Sequence, residues 1–262
     1  VLPLAVSAPT IMTDQSVRRH HEAPTVRLPI EGPSCSEIVW EEKADCRHCA
    51  IRQQTLFAAL RGSDFDQVFL PIKSAIVPAG AVLYAESGPA DAIYTVRWGL
   101  VKLAKRSPEG TTRIVRLLGP GAAVGLEGLK EGLHWHTATT LQQTGLCRIP
   151  FKVIEQLQVE NAQVAERLVL QWEHYVEYAD RWITELTAGS VKTRVVRLLK
   201  LLVELTFNAS AEIELPSVHD LAAILGTSVE SVSRATAELK REQVLRRIAP
   251  KTYRCNLEAV PC

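Results

Sequence analysis

The longest helical signal in this chain lies between residues 153 and 187, which contain neither glycine nor proline. Inside this stretch, apolar side chains recur at alternating steps of three and four residues, the spacing of a heptad repeat along one side of a helix. The residues of this seam are Ala165, Leu168, Trp172, Tyr175, Ala179, Trp182 and Leu186. The pattern predicts a single long helix that buries its seam against another surface.

A second apolar stripe, formed by Val169, Val176 and Ile183, lies on another face of the same predicted helix. A helix with two apolar faces can pack one of them on its own domain and the other on a second copy of the chain. We therefore expect a homodimer with the seam as its interface. The alternative is an amphipathic helix that is buried entirely in its own core.

Ahead of this helix, from about residue 68 to residue 150, short apolar segments alternate with glycine-containing turns. Residues 92–96 and 100–103 are two of the segments, and Ser87-Gly88-Pro89 is one of the turns. Short strands separated by regular turns predict a small antiparallel barrel or roll. With the helices that follow, this places the chain in the α+β class.

The C-terminal part has the spacing of a helix-turn-helix. Ser217 can cap a short helix over residues 219–225, and Gly226 can end that helix in the left-handed conformation. A second helix, capped by Ser228 or the residue before it, then runs to about Arg241. Two helices joined by a short glycine-containing turn form the motif that places its second helix in the DNA major groove.

The second helix and the segment after it carry side chains suited to DNA. The candidate DNA-binding residues are Ser228, Glu230, Ser233, Arg234, Lys240 and Lys251. An arginine can pair bidentately with guanine, and a carboxylate can accept from cytosine, while lysines suit phosphates. The alternative for Glu230 is a capping box with Thr227, in which it contacts no base. Residues 243–254 have the strand-turn-strand pattern of a wing.

Composition restricts the other possibilities. Lys plus Arg (30) nearly cancels Asp plus Glu (29), so a DNA-binding surface has to be local. No basic segment precedes the apolar first residues, and no apolar run is long enough for a membrane span, so we expect a cytoplasmic protein without a signal peptide. Residues 1–33, rich in Pro, Ser, Thr and His, predict a disordered tail, with the true start at Val1 or Met12.

The order of roll, long helix and helix-turn-helix resembles the Crp/Fnr family of bacterial transcription regulators. The stretch LGTSVESVSR resembles the Fnr branch, whose recognition helix carries a Glu-x-x-Ser-Arg signature, here Glu230, Ser233 and Arg234. The resemblance implies a homodimer that binds a palindromic TTGAT-type promoter site on double-stranded DNA and acts with RNA polymerase. It implies no enzymatic activity and no membrane partner.

The same resemblance implies a division of the chain into a cyclic-nucleotide-binding-like β-roll, a dimerisation helix and a winged helix-turn-helix. The expected limits are 34–152 for the cysteine-bearing segment and sensor roll, 153–187 for the helix and 188–262 for the DNA-binding domain. The cyclic-AMP branch has an Arg-Ser pair where this chain has His136-Thr137. The resemblance therefore implies that this roll does not sense a cyclic nucleotide.

Two cysteines, Cys46 and Cys49, form a C-x-x-C pair in the stretch ADCRHCAIRQ. In a reducing compartment such a pair suggests metal or redox chemistry rather than a structural disulfide. A later cysteine, Cys147, precedes Ile-Pro-Phe at the end of the predicted roll, as in Fnr-type oxygen sensors, which hold a 4Fe–4S cluster with four cysteines. The resemblance thus implies a 4Fe–4S cofactor that oxygen destroys.

The fourth ligand departs from the Fnr pattern, which has a further cysteine where this chain has Thr55. We assign Cys35 to that role, since a longer ligand loop adds little closure entropy. Asp45 or His48 could supply a non-thiolate ligand instead. Cys255 and Cys262 are expected to be ordinary thiols.

Other interpretations of these residues stay open. The cysteines could form a thiol–disulfide switch or a zinc site, or could be inert, and a haem-based gas sensor of the same family would use histidines as axial ligands. The pair His134-Trp135-His136 could bind a metal in a cupin-like enzyme, but residues 137–140 lack the glutamate that such a site needs.

Overall fold

Eight short strands between residues 73 and 150 form two antiparallel four-stranded sheets. The computed structural model describes residues 38–41, 44, 46, 48–58, 60, 71–207 and 210–257. The strands are β1 (Lys73–Val77), β2 (Val82–Tyr84), β3 (Ala92–Trp98), β4 (Val101–Arg106), β5 (Thr112–Leu118), β6 (Ala123–Val124), β7 (Thr137–Thr140) and β8 (Thr144–Pro150). Their orders are β1-β8-β3-β6 and β2-β7-β4-β5. This confirms the predicted roll.

A shared apolar core joins the two sheets. Ile93 and Leu146 from one sheet and Leu83 and Leu103 from the other are almost completely buried in it. The alternation seen in the sequence therefore arises because each strand turns one set of side chains toward this core. A short helix, α1 (Gly128–Glu131), lies between β6 and β7.

The predicted single helix over residues 153–187 is two helices. These are α2 (Phe151–Glu160) and α3 (Ala162–Leu186), with Asn161 between them. Asn161 has extended backbone angles, and its side chain accepts a hydrogen bond from the Gln163 backbone N–H at 3.0 Å. Asparagine is a favoured N-cap, so a new helix begins here without any glycine or proline.

Most of the predicted dimer seam is buried inside the chain. Leu168, Tyr175, Trp182 and Leu186 belong to the chain's own cores. Their assignment to the dimer interface stays a prediction, and their burial within one chain favours another face of α3 for that interface. Ala165 and Ala179 are half-buried, and Trp172 is exposed.

The second stripe is the exposed one. Val169, Val176 and Ile183 are 57%, 62% and 60% exposed, and Trp172 beside them is 41% exposed. Successive residues of an α-helix are about 100° apart, so these four side chains form one continuous apolar surface along α3.

The C-terminal part confirms the predicted winged helix-turn-helix. It contains α4 (Val191–Leu205), β9 (Glu212–Glu214), α5 (Val218–Leu225), α6 (Val229–Arg241), β10 (Leu245–Ala249) and β11 (Thr252–Cys255). The three strands form an antiparallel sheet in the order β10-β11-β9. Ser217 caps α5, and Gly226 ends it with a φ of 60°, as the sequence predicts.

This unit packs directly on the roll. Leu100 and Ile114 of the roll share a core with Leu198 and Leu225, and Lys102 of β4 forms an ion pair with Asp220 of α5 at 2.5 Å. In the described part of the chain, no helix is long and apolar enough to cross a membrane. The predicted tail, residues 1–33, lies outside the described residues.

Candidate DNA-binding surface and cysteine cavity

The N-terminus of α6 is set by Ser228. Its hydroxyl accepts a hydrogen bond from the Ser231 backbone N–H at 3.2 Å, which makes Ser228 the N-cap. Because the cap is Ser228, the capping box between Thr227 and Glu230 does not form. The carboxylate of Glu230 is exposed, and hydrogen bonds from its own backbone N–H and from the Ser228 hydroxyl hold its pKa below the usual range.

Three predicted base-reading residues share one exposed face of α6. Glu230, Ser233 and Arg234 lie at positions i, i+3 and i+4, and all three are exposed. The guanidinium of Arg234 is 3.5 Å from the Ser231 hydroxyl, at the limit of a hydrogen bond. A weakly held, exposed guanidinium and a neighbouring ionised carboxylate are chemically suited to base edges in a major groove.

Basic residues near the end of α6 and in the wing are a second set of candidates. Lys240 lies over the ring of Tyr253, with Nζ 4.8 Å from the ring centroid, and Lys251 is exposed in the turn between β10 and β11 with a φ of 63°. Arg246 and Arg247, on β10, are also exposed. Exposed cations of this kind are chemically suited to phosphates, contacts that supply affinity without reading sequence.

The cysteine pair and the distant third cysteine meet at one cavity. Cys46, Cys49 and Cys147 all line it, although Cys147 lies in β8 and the pair lies in the segment before the roll. The antiparallel register places Cys147 opposite Thr95 of β3. Thr95 and Arg97, two residues apart on the same face of that strand, also line the cavity.

The cavity is small, and its three thiols are not joined by a disulfide. The space between the walls is about 20 Å³, enough for about one water molecule. In the described ranges, no three His, Cys, Asp or Glu side chains have the arrangement of a finished metal site. Cys35 and Asp45, two candidates for a fourth ligand, lie outside the described residues.

Burial dominates the chemistry of the described thiols. Burial raises the pKa of Cys147 to about 11, an effect that the charge of Arg97 opposes and that Cys49 reinforces. A metal that binds this thiol must therefore displace its proton. Cys255 is a separate buried thiol in β11, with its pKa raised to about 11 by burial, and it does not line the cavity.

A buried polar cluster occupies the region of the His134–His136 motif. The Glu127 carboxylate lies 3.9 Å from Nδ1 of His134, 3.5 Å from Nδ1 of His136 and 3.4 Å from the hydroxyl of Tyr84. Burial alone would raise the pKa of Glu127, but the two neighbouring histidines hold it below the usual range, although Nδ1 of neither forms a hydrogen bond of ordinary geometry. A cupin-like site would place a glutamate after the histidines, whereas Glu127 precedes them, at the start of α1.

Comparison with known families agrees with both halves of this architecture. The cyclic nucleotide-binding domain family matches residues 76–161, and the Crp-like helix-turn-helix domain family matches residues 196–259. In fold, the chain is similar to FixK2 from Bradyrhizobium japonicum, with a TM-score of 0.60 and 24% identity over 71% of this chain and 91% of that one.

Named relatives with similar sequences are transcription regulators. The transcriptional activator Anr of Pseudomonas protegens is 25% identical over 78% of this chain and 85% of its own length. FnrA of Stutzerimonas stutzeri is 24% identical over 78% of this chain and 86% of its own length. A cAMP-activated regulator of Mycobacterium tuberculosis is 25% identical over 62% of this chain and 74% of its own length. With a nucleotide-binding-type roll, a Crp-like helix-turn-helix and relatives that regulate transcription rather than catalyse reactions, this DNA-binding chain belongs to the Crp/Fnr family of transcription regulators.

Proposed function

We propose that this chain is an Fnr-type regulator whose DNA binding responds to oxygen through a 4Fe–4S cluster. The observation that carries the proposal is the meeting of Cys46, Cys49 and Cys147 at one cavity. Relatives named Anr and FnrA support the same branch. In this proposal the sensor comprises residues 34–152, the dimerisation helix residues 153–187 and the DNA-binding domain residues 188–262. The protein acts in the cytoplasm.

The cysteine thiols are chemically suited to such a cluster, but the segment that carries Cys46 and Cys49 has to move before a cluster can bind. Four thiolates hold a cluster of this type, and the thiols of Cys46, Cys49 and Cys147 already line one space, with Cys35 proposed as the fourth. A space of about 20 Å³ is too small for the cluster itself, so the segment with Cys46 and Cys49 must move outward when it binds. The cluster would supply sensitivity to oxygen, and the protein would position it.

Direct contacts connect the cysteine segment to α3. Thr55 is buried just after a turn of 3-10 helix, where its hydroxyl donates to the Arg52 carbonyl at 2.8 Å. The loop before β6 packs on that turn, since a Cβ added to Gly121 would lie 2.8 Å from the Cβ of Gln54. The hydroxyl of Tyr175 on α3 donates to the Ala123 carbonyl in the same region. A shift of the cysteine segment would therefore reach α3 through packed residues.

We propose the exposed stripe on α3 as the dimer interface. Val169, Trp172, Val176 and Ile183 form a continuous apolar surface that the chain itself leaves uncovered. Pairing two copies of α3 along this stripe would bury it as in a coiled coil. The half-buried Ala165 and Ala179 lie at its edge, where small side chains let two helices approach closely.

Glu230, Ser233 and Arg234 should select a TTGAT-type half-site within a palindrome, with RNA polymerase as the further partner of the bound dimer. Replacing Arg234 by alanine should cost about 1–3 kcal/mol of binding free energy at this site and relax discrimination at the guanine, because the bidentate contact is lost. Titration of the protein against the palindrome and a set of single-base variants measures both effects.

Lys251→Ala is the matched control for this prediction. Its exposed ammonium lies at the wing turn, so its loss should weaken all DNA sequences alike and lower the salt dependence by about one unit of slope. If Arg234→Ala also weakened every sequence equally, Arg234 would be a phosphate contact, and the assigned specificity would be incorrect.

The test of the sensor is the absorption spectrum of protein purified without oxygen, with its iron and sulfide content. A 4Fe–4S protein gives a broad visible band that air bleaches, whereas a haem sensor gives a sharp Soret band. A disulfide switch gives no iron and a mobility shift that a reductant reverses. The narrow cavity is the observation that keeps the disulfide switch as the second candidate.

Cyclic-nucleotide sensing is not part of this proposal. The cyclic-AMP branch has an arginine at the position of His136. The carboxylate of Glu127 lies 3.5 Å from Nδ1 of His136. A negative charge there would repel a cyclic phosphate rather than attract it.

A further inference from the structure

A second and much larger cavity lies where the roll, α3 and α4 meet. Its volume is about 580 Å³, within the range of pockets that hold small organic ligands. Residues 117–122 of the roll form one side, α3 and α4 form the others, and no residue between 123 and 137 lines it. It is therefore separate from the Glu127–His136 region, and it lies apart from the exposed stripe on α3.

The charge of this junction pocket is positive. Three arginines line it, Arg116, Arg167 and Arg181, together with one carboxylate, Glu204. That carboxylate is already bound to Arg181 by two hydrogen bonds of 2.5 and 3.1 Å. Arg116 and Arg167 therefore remain as cations without a carboxylate partner in the described part of the chain.

The position of Arg116 is the most informative feature. Its guanidinium stacks on the ring of Tyr175, 4.2 Å from the centroid, and its Nε is buried without a hydrogen-bond partner among the described residues. A buried donor without an acceptor is costly and uncommon in folded proteins. The Tyr178 hydroxyl, beside the Leu117 backbone, is also buried without a hydrogen bond of ordinary geometry.

Apolar side chains form another part of the lining, beside the polar residues Gln53, Gln54, Gln171 and His174. Leu170 is 38% exposed and Phe207 is 67% exposed at the rim, and Leu205 also lines the pocket. An aromatic or aliphatic body could cover these side chains while an acidic group meets Arg116 and Arg167. From this combination we infer that the junction pocket binds a small organic anion with an aromatic body.

Such a ligand would contact both functional halves of the molecule. α4 is the first helix of the DNA-binding unit, and a Cβ added to Gly119 would collide with the Leu205 carbonyl, so the roll loop and α4 are in close contact. Thr55 lines this pocket and the cysteine cavity alike. An effector bound here would be placed to shift the same packed contacts that connect the cysteine segment to α3.

The test is fluorescence titration of the full-length protein with 8-anilinonaphthalene-1-sulfonate, an aromatic anion. We expect saturable binding of one probe per chain, weakened at least about tenfold in Arg167→Gln, because a charge-assisted contact is lost. N-phenyl-1-naphthylamine, which lacks the sulfonate, should bind with an affinity that Arg167→Gln leaves unchanged.

Arg167 is exposed, so its variant should fold normally, whereas Arg116→Gln could disturb the contact with Tyr175 and needs a thermal melt beside it. Lys105→Gln, an exposed charge on β4 outside the pocket, is the matched control and should leave probe affinity unchanged. Equal affinity of the sulfonate for the wild type and Arg167→Gln, or equal weakening in Lys105→Gln, would overturn the inference. Neither result depends on the iron–sulfur proposal.

Discussion

Replacing Cys147 by serine should leave protein purified without oxygen almost free of iron and sulfide, where the wild type should contain about four irons per chain. A cluster needs all its thiolates, and serine offers a hydroxyl of similar size but much lower affinity for iron. DNA affinity measured without oxygen should fall to the level of the air-treated wild type. Iron and sulfide analysis, together with DNA titration, measures the effect.

Cys255→Ser is the control for this variant, because Cys255 is a free thiol that lies outside the cysteine cavity. It should keep full iron, sulfide and oxygen-sensitive DNA binding. Cys35→Ser then tests the fourth ligand, and it should behave like Cys147→Ser. If Cys35→Ser keeps its cluster, Cys35 is a bystander, and Asp45 or His48 becomes the candidate.

The second large effect concerns the dimer. Val176→Asp places a carboxylate in the middle of the exposed stripe on α3, where Val176 is 62% exposed in the single chain. Pairing two copies would bury two unpaired like charges, which costs several kcal/mol. We expect a folded monomer whose affinity for the palindrome falls at least about a hundredfold, because the two half-sites no longer act together.

Sedimentation measures the oligomeric state, and Val159→Asp is the matched control. Val159 is 89% exposed on α2, outside the stripe, so an aspartate there should leave both the dimer and DNA binding intact. An undisturbed dimer in Val176→Asp would show that the interface lies on another surface.

The elements that were predictable from the sequence are those with local signals. The strands follow from alternation between glycine turns. The two helices of the DNA-binding motif follow from Ser217, Gly226 and Ser228, which act as caps and a turn whatever the surrounding fold. The break at Asn161 has a local cause as well, but an asparagine cap is a weaker signal than proline or glycine, and the apolar pattern continues across it.

The assignment of the two stripes on α3 could not be made from periodicity. Both stripes repeat every seven residues, and the choice depends on contacts with distant parts of the chain. Tyr175 faces inward because Arg116 lies on its ring and Ala123 accepts its hydroxyl. Trp182 packs in a core that is formed mainly by the DNA-binding unit, including its first helix, α4. Such contacts become visible only when the chain is folded.

The candidate sites also differ in how local they are in the sequence. The face of Glu230, Ser233 and Arg234 lies within one helix, so its spacing alone predicts it. The convergence of Cys46 and Cys49 with Cys147 spans about a hundred residues, and only the family resemblance suggested it. The proximity of Glu127 to His134 and His136 was not predicted, because the histidine motif suggested a glutamate downstream, whereas Glu127 lies before the histidines, at the start of α1.

The most direct test of the central claim is to measure the cofactor and DNA binding together on one sample. Full-length protein purified without oxygen is analysed for iron, sulfide and visible absorbance, and its affinity for the TTGAT palindrome is measured before and after exposure to air. We predict stoichiometric iron and sulfide, and a loss of the visible band that runs parallel to a loss of DNA affinity. Protein that lacks iron and sulfide and binds the palindrome equally well in air would contradict the account.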